Sequence, residues 1–129
     1  MRRLLLAALA ALALCGPAAA QHGDEGDGAF RRALAHRANG EPALAAHWLK
    51  VAAARGMPEA MFILANMLLD GEGVAKDEVQ ARRLLEEAAQ HDYAEAWQQL
   101  ALMEQDPVRA AQLMKRAAHA LSHRGEGRR

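Results

Sequence analysis

The sequence predicts an all-α protein, a short α/α superhelical solenoid of helical hairpins, and three observations lead to this prediction. Apolar residues recur at i, i+3, i+4, i+7 and i+8, the spacing of one helix face, from Ala60, Ala81 and Tyr93 onward. Residues 45–67 recur as residues 81–103, 36 positions later. Turn and capping residues separate the apolar stretches. A fixed period of this length is typical of stacked helical hairpins.

The internal repeat is specific, because nine residues of the first copy return unchanged in the second. In the first copy they are Ala45, Leu49, Ala52, Ala53, Glu59, Ala60, Leu64, Ala65 and Met67. Their counterparts are Ala81, Leu85, Ala88, Ala89, Glu95, Ala96, Leu100, Ala101 and Met103. Chance does not produce such agreement in register, so the two stretches are expected to share one structure.

Helices are predicted at 29–38, 43–55, 58–69, 78–91, 93–104 and 107–121. Gly56 can take the left-handed conformation that ends the second helix, and Pro58 suits the first turn of the third. Asp77, with Gln80 three positions later, forms a capping box for the fourth helix. Asp106-Pro107 places a cap before a proline at the start of the sixth.

The predicted core combines small and large side chains. Alanine pairs at 52–53, 88–89 and 117–118 allow neighbouring helices to approach closely. Trp48 and Trp97 are expected to fill the space that these alanines leave.

One stretch carries a recognisable repeat pattern. It reads Ala45-x-x-Trp48-x-x-x-Ala52-Ala53-x-x-Gly56-x-x-x-Ala60-x-x-x-Leu64-Ala65, followed by Gly71-Glu72-Gly73-Val74 and Asp77. This pattern resembles the Sel-one-like repeat (SLR) family, a relative of the tetratricopeptide repeats. The resemblance implies a solenoid that acts as an adaptor, with Val74 packed back onto the core.

The later copies depart from the pattern. In the second copy Leu84 replaces the tryptophan and Asp92 the glycine, and the loop is reduced to residues 104–107. A third copy is begun at residues 108–121 without a second helix. With all three copies, the resemblance covers roughly two thirds of the chain. Some relatives have been considered β-lactam-binding enzymes held by disulfides, but this chain lacks the cysteines of that group.

The first twenty residues have the pattern of a secretory signal peptide. Basic residues 2–3 precede an apolar run at 4–14, and alanines 18–20 form a small-residue site before Gln21, so cleavage is expected after Ala20. The apolar run is too short to span a bilayer as a mature helix. The alternative is a lipoprotein anchored at Cys15, although a lipobox needs a small residue where Leu14 stands.

The expected mature protein is therefore periplasmic or secreted, with a disordered leader at 21–28, an SLR domain at 29–121 and a basic disordered tail at 122–129. Without the two arginines of the signal peptide, 14 basic residues stand against 16 acidic ones. This near-neutral balance gives no electrostatic basis for binding nucleic acid.

The residues for catalysis, cofactor binding and metal binding are sparse, so the sequence predicts none of these activities. Ser122 is the only serine, threonine is absent, and Cys15 lies in the signal peptide, which leaves no nucleophile paired with a base. His119 and His123 have the i, i+4 spacing of metal ligands but no third ligand on the same helix. The glycine-rich loop at 71–73 follows a helix and lacks the motifs that hold phosphate.

The sequence therefore predicts an exported adaptor that binds another periplasmic or envelope protein. The expected contacts are the non-core residues on the first helix of each hairpin: His47, Lys50, Val51, Arg83, Glu86, Glu87, Gln90, Gln112, Lys115, Arg116 and His119. The alternative is a binder or weak hydrolase of cell-wall fragments or β-lactam-like ligands that uses Glu86 or Glu87. Self-association through the apolar face of the last helix, around Met114 and Leu121, is a further expectation.

Overall fold

The computed structural model describes residues 18–127, with side chains from Asp24 onward. The helices in this range are α1 (Ala18–Ala38), α2 (Pro42–Ala54), α3 (Pro58–Asp70), α4 (Glu78–Gln90), α5 (Ala94–Met103) and α6 (Pro107–Glu126). Residues 1–17, which hold most of the predicted signal peptide and Cys15, lie outside the described residues, as do 128–129. The predicted all-α fold is confirmed.

Helices α2 to α5 begin and end within one residue of their predicted bounds, because local capping sets these ends. Gly56 has a φ of 84° just past α2. The Asp77 side chain accepts a hydrogen bond from the Gln80 backbone N–H at 3.0 Å, and Asp106 Oδ1 accepts one from the Val108 N–H at 2.9 Å. The Asp77 N–H, which a capping box would bond to a side chain, instead donates to the Leu68 carbonyl at 3.0 Å.

Helix α1 starts earlier than predicted and includes residues 21–28, which were expected to be a disordered leader. Gly26 is buried, and a Cβ added there would lie 3.3 Å from Cβ of Arg55. The Glu25 carboxylate lies 2.6 Å from the Arg55 guanidinium. The small Gly26 therefore lets α1 lie close to the end of α2.

Helix α6 likewise continues to Glu126, through residues expected to belong to a disordered tail. Arg124 donates to both carboxylate oxygens of Glu95, at 3.0 and 2.9 Å. This bidentate contact holds the end of α6 against the start of α5 and gives the added turn a partner that sequence periodicity does not reveal.

Each helix packs on its neighbours along the chain, and packing is most extensive within the pairs α1–α2, α3–α4 and α5–α6. Among the described residues 23 are buried and apolar, and 16 of these are alanine. Leu49, Met61, Leu64, Met67 and Leu85 are the largest fully buried side chains. The core is thus formed mainly by close approach of helix backbones, as the alanine pairs predicted.

The two tryptophans differ from the prediction, because Trp48 and Trp97 are only half-buried and pack against the edge of the core. The third alanine pair is also divided, since Ala117 is buried and Ala118 is exposed.

The glycine-rich loop between α3 and α4 packs on the start of α2. Gly73 has a φ of 70°, and a Cβ added there would lie 2.4 Å from the carbonyl carbon of Pro42. Glu72 pairs with Arg37 at 3.3 Å. Val74 is half-buried against the core, which confirms the position implied by the family resemblance. This loop joins the two helices of the α3–α4 pair, and its backbone packs against the start of α2.

No helix within residues 18–127 has the length and apolar character needed to cross a bilayer.

Candidate partner-binding surface

All eleven predicted contact residues lie on α2, α4 and α6, and all are exposed except Val51, which is half-buried. Helix α2 contributes His47, Lys50 and Val51. Helix α4 contributes Arg83, Glu86, Glu87 and Gln90. Helix α6 contributes Gln112, Lys115, Arg116 and His119. The structure distributes most of them over four hollows and does not gather them in one groove.

A central hollow of about 310 Å³ is bordered by α2, α3 and α4. Lys50 on α2 and Glu87 on α4 both line it, so that one cation and one anion border the same space. Leu64 and Leu84 supply apolar lining, and Gly56 leaves space beside them. The hollow therefore offers both charge signs around an apolar wall, an arrangement that suits a polar chain with alternating side chains.

A second hollow, of about 370 Å³, lies beside α6 and is lined by Lys115, Arg116, His119, Trp97 and Asp92. The Arg116 guanidinium carbon lies 5.1 Å from the centroid of the Trp97 ring, within the range of a cation–π interaction. Trp97 is half-buried, and a charged side chain from the next helix lies over its ring. Three of the four predicted α6 residues are brought together here.

A third hollow, of about 490 Å³, lies between α1 and α2. Val51 lines it together with Trp48, and the Arg32 guanidinium carbon lies 4.7 Å from the centroid of the Trp48 ring. Asp24 and Arg55 also border this space. Sequence reasoning missed this site, because residues 21–28 were expected to be irregular and Trp48 was expected to be enclosed.

The other predicted contacts are more scattered. Gln112 lines a fourth hollow, of about 330 Å³, beside Arg116. The His47 ring lies 5.3 Å from the Trp48 ring in an edge-to-face arrangement. Arg83, Glu86 and Gln90 are exposed on α4 but line none of these four hollows.

The strongest electrostatic contact at the α5–α6 edge joins Glu95 to Arg124. The hydrogen bonds from Arg124 lower the pKa of the Glu95 carboxyl below its usual value. Burial raises the pKa of the Tyr93 hydroxyl, and the nearby charges of Glu95 and Glu59 add to this effect. The Arg124 guanidinium carbon lies 5.7 Å from the Tyr93 ring centroid, so one arginine contacts both side chains. These contacts hold the helix pair together.

The structure also shows the surroundings of the candidate metal ligands His119 and His123 and of the hydroxyl group of Ser122. Among the described residues no three His, Cys, Asp or Glu side chains lie together in a group that could hold a metal ion. His119 and His123 approach to 3.1 Å between their Nε2 atoms, and His123 Nδ1 lies 3.5 Å from Glu126. The Ser122 hydroxyl donates to the His119 carbonyl oxygen at 2.7 Å. Ser122 is therefore bonded to its own helix and has no general base as its partner.

Two solved structures share this arrangement of helices. One is c5321, a protective antigen with an SLR fold that is present in uropathogenic Escherichia coli strains. Its TM-score is 0.67 at 22% sequence identity, and the match covers 78% of this chain and 24% of that one. The other is a Sel1 repeat protein from Oxalobacter formigenes, with a TM-score of 0.56, 26% identity, and 60% and 34% of the two chains covered. This chain thus spans about a quarter to a third of the length of these proteins. No curated protein matches it.

The Sel1 repeat family matches residues 37–57, 58–93 and 94–120. The second and third matched units begin at α3 and α5, so they unite α3 with α4 and α5 with α6, two of the pairs that pack most extensively. With these unit boundaries, α6 is the second helix of the third unit. The sequence prediction had started each unit one helix later, so that α6 was the first helix of an unfinished hairpin. The matched residues cover more than half of the chain, which therefore belongs to the Sel1 repeat family.

Proposed function

We propose that this chain is an exported adaptor, which binds another protein of the periplasm or cell envelope through the exposed faces of α2 and α4 and has no catalytic activity of its own. Proteins of the Sel1 repeat family generally mediate protein–protein interactions. The observation that carries the proposal for this chain is the central hollow, where Lys50 and Glu87 border an apolar wall.

The size and lining of the central hollow favour a peptide segment over a small molecule. At about 310 Å³ it lies at the lower end of the roughly 300–1,000 Å³ of small-molecule pockets. A side chain from a partner can enter it while polar groups beside that side chain meet Lys50 and Glu87. Neither charge is buried, so pairing them with a partner would set specificity and association rate more than affinity.

The hydrolase alternative receives no support from the placement of the two glutamates. Glycoside hydrolysis uses two carboxyl groups that flank the scissile bond. Glu87 is the only carboxylate that lines the central hollow among the described residues, and Glu86 lines none of the four hollows. The adaptor function is therefore the one that we propose.

The binding face can be tested by site-specific photo-cross-linking in intact cells. A photoreactive amino acid is placed at Lys50 or at Glu87, and as a matched control at Gln98, which is exposed on α5 away from the central hollow. We expect one discrete protein adduct from both test positions and none from the control. Adducts of equal yield from all three positions, or none from the test positions, would contradict this binding face.

The proposed export has its own test. The basic start, the apolar run and the small-residue site of residues 1–20 support cleavage after Ala20. Mass spectrometry of the protein purified from its native host should give a mature chain that begins at Gln21. A chain that begins with a lipid-modified Cys15 would replace this proposal with a membrane-anchored lipoprotein.

A further inference from the structure

Helix α6 carries an exposed apolar strip on one face, which we call the terminal strip. It consists of Ala111, Met114, Ala118 and Leu121, spaced three, seven and ten residues from the first. All four are exposed, and the large members Met114 and Leu121 have relative exposures of 46% and 44%. The residues that α6 turns inward, such as Ala117 and Ala120, are only 2% and 5% exposed.

The corresponding positions of α4 are covered. When the capping residues of the two helices are aligned, Leu85 corresponds to Met114 and Ala89 to Ala118. Leu85 is 0% exposed and Ala89 1% exposed. Helix α4 lies between α3 and α5, whereas α6 packs on α5, and no helix follows it within the described residues. The middle of the terminal strip, Met114 and Ala118, thus corresponds to a surface that is covered in the preceding unit.

The charges beside the strip indicate which kind of helix would cover it. Lys115, His119 and His123 follow one another at four-residue intervals and so form one border of the strip. Lys115 and the neighbouring Arg116 carry the permanent positive charges beside the strip, and Glu126, at the far end, contacts His123 at 3.5 Å. A second copy of α6 would bring the same basic border, and like charges would oppose its pairing. The exposed face of α1 carries Asp27 and Arg31, and among its described residues Leu34 is the one large exposed apolar side chain, so it offers the strip little apolar area.

The chain contains its own precedents for the covering helix. Helix α3 follows α2 in the stack, and helix α5 follows α4. They carry Glu59 and Glu95, respectively, in their first turns. Short loops make consecutive helices antiparallel, so such a glutamate lies near the C-terminal half of the preceding helix. In α5 this glutamate bonds to Arg124, near the C-terminal end of the following helix α6, so a first-turn glutamate can reach a basic residue in the second half of an antiparallel neighbour.

We propose that the terminal strip binds an amphipathic α-helix of another protein, which lies antiparallel to α6 with acidic residues towards Lys115 and His119. Met114 and Leu121 pack into its apolar face, and Ala118 allows close approach between them. The inference rests on the proposed adaptor function but uses the end of the solenoid rather than the central hollow.

Two designed helical peptides provide the probe. They share one alanine and leucine stripe and differ only in their flanking residues, glutamate in one and lysine in the other. Fluorescence anisotropy with the purified protein should show at least tenfold tighter binding of the glutamate peptide. That preference should shrink in high salt because screening weakens the charge contacts. Met114→Lys and Leu121→Lys should each abolish binding, whereas Val79→Lys, on an exposed residue of α4, should leave it unchanged.

Equal binding of the two peptides by the wild-type protein, or no binding of either, would overturn the proposal without relying on any variant. A wild-type dimer in sedimentation experiments that Met114→Lys converts to monomer would also overturn it, and would assign the strip to a second copy. Circular dichroism melts identify any variant that loses binding by unfolding. If neither peptide binds but cross-links still form at Lys50, the proposed role of the terminal strip is wrong and the adaptor proposal stands. If the peptides do not bind and no cross-links form, both proposals are wrong.

Discussion

Replacing Gly73 with alanine should destabilise the protein more than the same change two residues earlier. Both Gly71 and Gly73 have a positive φ, 69° and 70°, so alanine pays the same backbone strain at either site. They differ in their surroundings. A Cβ on Gly71 would meet its nearest atom at 3.7 Å, an ordinary contact, whereas a Cβ on Gly73 would lie 2.4 Å from the Pro42 carbonyl carbon.

The magnitudes follow from these two geometries. A left-handed conformation costs an L-amino acid roughly 1–2 kcal/mol, which is the whole expected effect of Gly71→Ala. At Gly73 the new methyl group meets backbone, which cannot rotate away, so either the loop or the start of α2 must shift. Overpacking of this kind adds about 1–3 kcal/mol. We therefore expect Gly73→Ala to lower the free energy of unfolding by about 2–5 kcal/mol in total.

Urea denaturation followed by circular dichroism at 222 nm measures both values. The two variants should keep the wild-type dependence on urea concentration, so that the midpoint difference reports stability alone. If Gly71→Ala and Gly73→Ala lose equal stability, the close packing of this loop on Pro42 would be refuted as the reason for the second glycine.

Three further predictions concern the repeat geometry and its electrostatics. Leu85→Ala should lower the free energy of unfolding by about 2–5 kcal/mol, because Leu85 is buried, whereas Met114→Ala at the exposed counterpart should lower it by less than about 1 kcal/mol. Equal losses of stability in thermal melts would refute the correspondence of α4 with α6. Asp92 has a φ of 55° where the first repeat has Gly56, so Asp92→Gly should raise the free energy of unfolding by up to about 1 kcal/mol and Gly56→Asp should lower it; a loss of stability in Asp92→Gly would contradict this reasoning. Glu95→Gln should cost about 0.5–1 kcal/mol at neutral pH, because the Glu95 side chain is 37% exposed and its ion pair is partly screened. The pKa of Glu95 is lowered in the folded state, so its contribution is present above the ordinary value of 4.5 and disappears as pH falls through the lowered value; a wild-type advantage that is constant from pH 7 to pH 3 would refute the assignment.

The helices were predictable where local chemistry fixes their ends. Asp77 and Asp106 bond to backbone N–H groups within their own helices, and Gly56 adopts its left-handed conformation whatever lies beyond it. Such signals lie within a few residues of the boundary that they set. The stacking of successive helices could also be anticipated, because the 36-residue period repeats the same alanines on the same face, but that period did not show which helices form each unit.

The failures share a tertiary cause. Residues 21–28 carry no apolar side chain and were expected to be disordered, yet the small Gly26 leaves room for the neighbouring Arg55 side chain. The contact of Arg124 with Glu95 spans 29 residues, so no local pattern announces the added turn of α6. Trp48 was expected to be enclosed because tryptophan is large and apolar, but Arg32 covers its ring and leaves it at the edge of the core.

The candidate surface was predictable by helix but not by position. Hydrophobic periodicity identifies the residues that face away from the core, and so it placed the candidate contacts on α2, α4 and α6. It does not show which exposed residues face a common space. Lys50 and Glu87 share the central hollow only because α2 and α4 are brought to its edge, while Glu86, next in sequence to Glu87, lines none of the four hollows.

The predominance of alanine in the buried core also affects how stability varies with temperature. Each alanine exposes one methyl group on unfolding, so the chain exposes less apolar surface per residue than a core of leucine and phenylalanine would. The heat capacity change of unfolding scales with that surface and should fall below the usual value of about 12–15 cal/mol/K per residue. A smaller heat capacity change flattens the curve of unfolding free energy against temperature. The unfolding free energy of a solenoid built by close backbone contact should thus change little between cold and warm surroundings.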